Sequence, residues 1–177
     1  WSVPILLKEI FADYYGQPLG APVSYRRFVT WLADRDIPAA RAVWQQQLAG
    51  FEVPTVVAPR SHLQPGPRGA ASFPLSAELT RALSDLARSC HTTVNIVLQG
   101  AWAQLLMWLS GSNDVVFGTT VSGRPSDMAG AEAMVGLLIN TVPVRATADA
   151  ATTTVELVDR LQRAQNDTLE HQHMALS

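Results

Sequence analysis

The chain has 177 residues, 47% of them hydrophobic and 16% charged, with a formal net charge of −2. That balance belongs to a chain that buries a core and excludes disorder throughout, and the length suits one domain or one lobe with part of another. Lys8 is the only lysine, Arg26 and Arg27 form the only adjacent basic pair, and every apolar run falls short of the ~20 residues a membrane helix needs, so neither nucleic acid nor membrane is expected as a partner.

Val3, Leu6, Leu7, Ile10, Phe11 and Tyr14 recur at helical spacing after Ser2, a good N-cap residue, and the pattern stops at Gly16. Pro18, Gly20 and Pro22 make a loop, beyond which Tyr25, Phe28, Trp31 and Leu32 form a second helical stripe. Asp36 caps a third helix, with Ala39, Val43, Trp44 and Leu48 on its apolar side and Gly50 at its end. Residues 1–50 therefore read as three short helices packed through aromatic side chains. From Phe51 to Gly69, Pro54, Pro59, Pro65 and Pro67 forbid a helix and mark a linker between lobes.

Ala70–Leu75 reads as a short strand, and Ser76 caps a helix with Leu79, Leu83, Leu86 and Ala87 on one face. In the next helix Val94, Val97, Leu98, Ala101, Leu105 and Trp108 line up at i, i+3, i+4, i+7 spacing, and Gly111 ends it. Asp114–Ser122 and Leu138–Ala146 are rich in β-formers and apolar enough to be strands buried on both faces. Gly123-Arg124-Pro125 and a small-residue loop, Ser126–Met134, lie between them, and the loop is expected to be mobile. A Thr153-x-x-Glu156 capping box opens a last helix through Leu157, Val158, Leu161 and Ala164. There is no internal repeat.

The short motifs that announce common chemistries are missing: no phosphate-binding glycine loop, no His-Glu-x-x-His, no Cys-x-x-Cys, no G-x-S-x-G elbow. His171 and His173 offer two imidazoles, but i, i+2 positions on a helix point apart and no ligand set stands nearby, so no metal site is expected. His62 falls in the linker, where it is expected to be solvated. Cys90 and His91 are adjacent with no third orienting group, which favours structural roles for both. A single cysteine excludes an internal disulfide and points to a reducing compartment, hence the cytoplasm. Asn140 interrupts an apolar strand, so its amide must bind backbone, water or substrate.

Two runs resemble the condensation domains of nonribosomal peptide synthetases. The first is Asp114-Val115-Val116-Phe117-Gly118-Thr119-Thr120-Val121-Ser122-Gly123-Arg124-Pro125. The second is Val135-Gly136-Leu137-Leu138-Ile139-Asn140-Thr141-Val142-Pro143-Val144-Arg145. Trp1-Ser2 is similar to the end of that family's His-His-x-x-x-Asp-Gly-Trp-Ser motif. Tyr25-Arg26-Arg27-Phe28-Val29-Thr30-Trp31 is similar to its Tyr-x-Asp-(Phe/Tyr)-Ala-x-Trp motif, departing at Arg27 and Val29. His171-Gln172 resembles the start of a (His/Asn)-Gln-Asp-x-Pro-Phe-Glu motif, and His173, Ala175, Leu176 and Ser177 depart from it.

The resemblance implies an α/β (α+β) fold, a chloramphenicol-acetyltransferase-like lobe with helices on a mixed sheet. Residues 1–57 would be the closing helices of the N-terminal lobe, and 58–177 most of the C-terminal lobe, which in family members continues past Ser177. The active-site His would lie just upstream of Trp1, so no catalytic residue is expected within the chain and the 177 residues alone are expected to be inactive. Trp1, Ser2 and Asn140 would border the substrate tunnel, with the Ser126–Met134 loop as its floor. No bound cofactor is implied: the substrates ride on the phosphopantetheine of carrier proteins. The partners would be those carriers and an adenylation domain of the same polypeptide, in bacterial secondary metabolism. Arg124 and Arg145 would pair with acidic neighbours or meet a phosphopantetheine phosphate, the pairing being favoured, while Gly118 and Gly136 would serve backbone geometry. The alternatives are a scaffold or docking lobe without chemistry, and another acyltransferase or an epimerisation domain of the superfamily. Asn140-Thr141 sides with condensation.

Overall fold

The computed structural model describes residues 2–58, 69–125 and 127–174. They form α1 (Ser2–Tyr14), α2 (Tyr25–Ala33), α3 (Ile37–Gln47), α4 (Ala77–Ser89), α5 (Val94–Ser110), β1 (Asp114–Val121), β2 (Asn140–Thr147) and α6 (Thr154–Thr168), with 3₁₀ turns at Ala131–Ala133 and Leu169–His171. This is a mixed α/β arrangement whose sheet, among the described residues, is the pair β1–β2. The pair is antiparallel. At one end Ala148 N–H donates to the Asn113 carbonyl at 3.0 Å, and at the other Gly123 lies against Leu138.

By contacts the chain divides into two compact units. One comprises Trp1–Ala42, Thr120–Val142 and Glu170–Ser177, the other Val43–Thr119 and Pro143–Leu169. Both strands contribute residues to each. This interleaved division is a separate matter from the lobe boundary expected at residue 57, and residues 59–68 of the linker, His62 among them, lie outside the described residues.

In the second unit the core is built by α4, α5 and α6 with the ends of both strands: Ile96, Val97, Ala103, Leu106, Val115, Ala146, Leu157, Val158 and Leu161 are buried. Local sequence places these helices. Ser76 Oγ accepts from Leu79 N–H at 3.1 Å and Thr93 Oγ1 from Ile96 N–H at 3.3 Å. Gly111 ends α5 in the left-handed conformation, and Thr153 and Glu156 make the complete capping box. His91 takes a left-handed turn position with φ of 51°, and Thr92 N–H returns to the Ala87 carbonyl at 2.9 Å. Cys90 packs against the core, so the pair closes α4 and serves structure.

Several expectations are corrected. The apolar stripe expected on α5 is not the face it buries: Val94, Leu98, Leu105 and Trp108 are exposed, and the core takes Ile96, Gln99, Gly100, Ala103 and Leu106 beside Val97. The helix is apolar all round, so periodicity alone fits more than one face. Ala70–Leu75 forms no strand: it is mostly Ala and Ser around Phe73, and Pro74 removes a ladder donor. The strands are not buried on both faces either; Val115 is the buried residue of β1, and Val142 and Ala146 those of β2. Nor do residues 1–50 pack as an aromatic bundle. No residue of α1 is buried, and Ser2 lies within that helix rather than capping it.

In the first unit Phe28 of α2 packs against Met134 and Leu138, with Val23, Tyr25, Trp31 and Met128 around them. Residues 127–134 pack through two side chains: Ala131 and Met134 are buried, Ala131 within a 3₁₀ turn. Ser126 lies outside the described residues. Gly123 is where the chain leaves β1, at φ of +59°, and a Cβ there would stand 1.6 Å from the Leu138 carbonyl oxygen. Gly123→Ala is expected to lower stability by about 2–4 kcal/mol, combining left-handed strain with a backbone clash, as read in urea unfolding. An unchanged midpoint would remove the close approach.

Candidate functional site

Five stretches singled out in the sequence meet in the first unit. The anchor is Gly136-Leu137, just before β2. Ser2 Oγ accepts from Gly136 N–H at 3.2 Å and lies 3.1 Å from the Gly136 carbonyl, to which it donates. Tyr25 Oη donates to the Leu137 carbonyl at 2.6 Å, and its ring lies so close that a Cβ on Gly136 would come within 2.2 Å of it. Only glycine lets the ring in. The third stretch enters through Asn140. Its Nδ2 donates to the carbonyls of Gln172 at 2.7 Å and Met174 at 2.8 Å, while Oδ1 accepts from Thr141 N–H at 2.9 Å. The amide that interrupts an apolar strand is thus satisfied by backbone. Arg124 completes the frame, donating through Nη1 to the carbonyls of Ala131 and, at 3.0 Å, Met134. The acidic partner expected for it is replaced by the carbonyls of the 3₁₀ turn, which stand nearer and take the guanidinium.

Trp31 extends the site along α2. Its indole stacks on Phe28 at 5.9 Å, donates through Nε1 to Asp127 at 3.3 Å and carries the Arg35 guanidinium at 4.3 Å. His173 meets the indole edge-on at 6.0 Å.

In the second unit, Arg145 pairs with an acidic neighbour as expected. Nε donates to Asp114 Oδ1 at 2.9 Å and Nη2 to Oδ2 at 2.7 Å, while Nη1 reaches the carbonyls of Gln47 and Ala49 at 3.3 and 2.6 Å. The Asp114 carboxylate raises the guanidinium pKa above its ordinary value, outweighing the opposing effect of burial, and the Phe51 ring lies 5.8 Å away. One arginine therefore fastens β2, β1 and the end of α3.

Of the predicted tunnel residues, Ser2 and Asn140 are brought to one stretch, residues 136–140, and Trp1 lies outside the described residues, as do Ala175, Leu176 and Ser177. Tyr25 is legible as part of a motif. Arg35 and His173 carry no signal for their mutual position, because 138 residues separate them along the chain. Among the described residues no three His, Cys, Asp or Glu side chains gather as a metal would need. What this site does chemically is hold backbone in place.

The family model described as "Condensation domain" matches residues 1–177, and the chain belongs to that family. It is 40% identical over 184 residues to chondramide synthase cmdD of Chondromyces crocatus, covering 99% of this chain and 5% of that protein. It is 33% identical over 192 residues to bacitracin synthase 1 of Bacillus licheniformis, covering 100% of this chain and 4% of that one. The first condensation domain of the calcium-dependent antibiotic synthetase, in complex with a substrate analogue, matches with a TM-score of 0.74 at 23% identity, over 93% of this chain and 39% of that one. The SgcC5 protein of Streptomyces globisporus matches with a TM-score of 0.76 at 21% identity, over 97% and 41%. These structural likenesses show the chloramphenicol-acetyltransferase-like fold. The chain thus spans a few per cent of the synthases and about two fifths of the solved domains.

Asn140→Ala removes two donors from the Gln172 and Met174 carbonyls and is expected to cost about 1–3 kcal/mol, with faster amide exchange over residues 172–174. Asn140→Asp, which sets a carboxylate against those carbonyls, should cost at least as much. Arg145→Lys keeps the charge and loses the fork, with an expected loss of about 1.5–3 kcal/mol in chemical unfolding.

Proposed function

We propose that the chain is part of a condensation domain that makes amide bonds in nonribosomal peptide synthesis. The observation that supports this most is the family match over the whole chain, together with relatives that are themselves synthases. In the reaction the amine of an acceptor aminoacyl thioester attacks the carbonyl carbon of a donor acyl thioester. A C–N bond forms, the C–S bond breaks, and the proton lost by the amine ends on the departing thiol. An upstream His of the family motif handles that proton; the residues of this chain supply position, which for a bimolecular step is a large share of the barrier.

In this reading residues 1–57 close the first lobe and 58–177 make most of the second. Trp1, Ser2 and Asn140 border the tunnel, the latter two by fixing its backbone walls at Gly136 and at Gln172–Met174. Both substrates arrive on phosphopantetheine arms of carrier proteins, no cofactor is resident, and the adenylation domain of the same bacterial, cytoplasmic polypeptide is the neighbour. No helix among the described residues is long and apolar enough to cross a membrane.

The test supplies loaded donor and acceptor carrier proteins to the longer polypeptide and, separately, to residues 1–177, and measures amide product by mass spectrometry. The longer polypeptide should form the amide, and the 177 residues should stay at the level of a no-protein control. Product from the 177 residues alone would overturn the assignment of proton transfer to an upstream His. No product from a longer polypeptide with an intact His motif would favour the scaffold reading.

A further inference from the structure

The segment Glu170–Met174 is held in its unit at a second point besides Asn140, and that point contains two buried polar atoms without a partner, Arg35 Nε and His173 Nε2. His173 Nδ1 lies 3.0 Å from the Glu170 carbonyl oxygen. A carbonyl can only accept, so Nδ1 carries the proton and Nε2 is an unprotonated acceptor. The Arg35 orphan is a donor. Both belong to groups gathered on one indole: the imidazole edge-on to Trp31, the guanidinium over its face.

We infer that His173 is a pH-gated latch, whose neutral imidazole fastens Glu170–Met174 to α2 through Trp31 and whose protonation loosens that fastening, leaving Asn140 as the segment's remaining hold on Gln172 and Met174. A proton on Nε2 would add a second buried donor where Arg35 Nε already has no acceptor, and a second positive charge beside Arg35. The charged and titratable groups around the ring are few. Arg35 comes from the turn after α2, and Asp127 from the loop after β1. Glu170 and His171 belong to the same segment, and the His171 ring lies 6.4 Å away. Asp127 is committed to Trp31 Nε1 at 3.3 Å and to Arg35 at 3.9 Å.

Burial holds the imidazole below its ordinary 6.5; the Glu170 carbonyl opposes this, and His171 and Arg35 reinforce it. A group whose folded pKa is lowered binds more protons when unfolded. Its contribution is therefore present above pH 6.5 and is lost as pH falls from there toward the folded value. The inference stands independently of the proposed reaction.

Long-range ¹H–¹⁵N NMR of the folded chain tests it. His173 should show the Nδ1–H tautomer at neutral pH and should titrate below the imidazoles of the same protein in denaturant. Amide protection of residues 172–174, corrected for intrinsic exchange, should be lower at pH 5 than at pH 7. His173→Phe keeps a ring edge on Trp31 with nothing to protonate, and should hold its protection constant over that range. An Nε2–H tautomer, titration at or above the denatured imidazoles, or protection in the natural sequence that ignores pH would each overturn the latch. The tautomer and titration need no variant, so they decide the matter even where His173→Phe fails to fold.

Discussion

The antiparallel pairing of β1 with β2 is the constraint on which the remaining structure depends. Two strands alone make a marginal sheet, so the pair has to be reinforced by side chains. At its Asp114 end this is done by Arg145, whose fork takes both carboxylate oxygens and whose remaining amino group gathers the Gln47 and Ala49 carbonyls. The side chains of that pair are 20% and 34% exposed, dry enough for a bidentate ion pair to hold more than a solvated one. At the other end the chain has to turn away within reach of Leu138, and Gly123 is the residue whose backbone can do so. With both ends set, residues 124–139 become one long connection between paired strands. Its interior is fixed by Arg124, Ser2 and Tyr25 acting on carbonyls and amides.

This explains why the site is made of backbone contacts. A connection of that length carries many peptide groups that neither strand can satisfy, and buried ones need partners. Ser2, Tyr25, Arg124 and Asn140 each answer part of that need, so substitution at these positions acts first on the placement of backbone.

What was legible in the sequence follows a physical line. Ser76, Gly111 and the Thr153–Glu156 box act within four residues of themselves, so their effect can be read locally, and each stands where expected. The face that α5 buries is a property of α4 and α6 as much as of α5, and an all-apolar helix gives no hint of it. Ala70–Leu75 carries a single strong β-former, Phe73, and Pro74 removes a ladder donor, which the sequence alone already shows. Ser2 has the chemistry of a cap, and a carbonyl and amide 134 residues away competed for its hydroxyl and won. The same distance effect separates the two arginines: Arg145 found the carboxylate expected of it, whereas Arg124 found carbonyls that a 3₁₀ turn had turned toward it.

Asn140 shows how far such reading can go. An amide in an apolar strand has to be bonded, which the residue type alone establishes; that its partners are Gln172 and Met174 depends on a fold that returns the chain 32 and 34 residues later. The count of its hydrogen bonds then constrains any further role. Both N–H groups are given to carbonyls, and Oδ1 already accepts from Thr141, leaving one lone pair. An acceptor with one open site can receive a proton donor such as a substrate amide N–H, but it cannot donate to a thioester carbonyl without releasing Gln172 or Met174. Asn140 is therefore spent on the backbone of Gln172 and Met174, and any further bond it makes without giving those up is one in which it accepts.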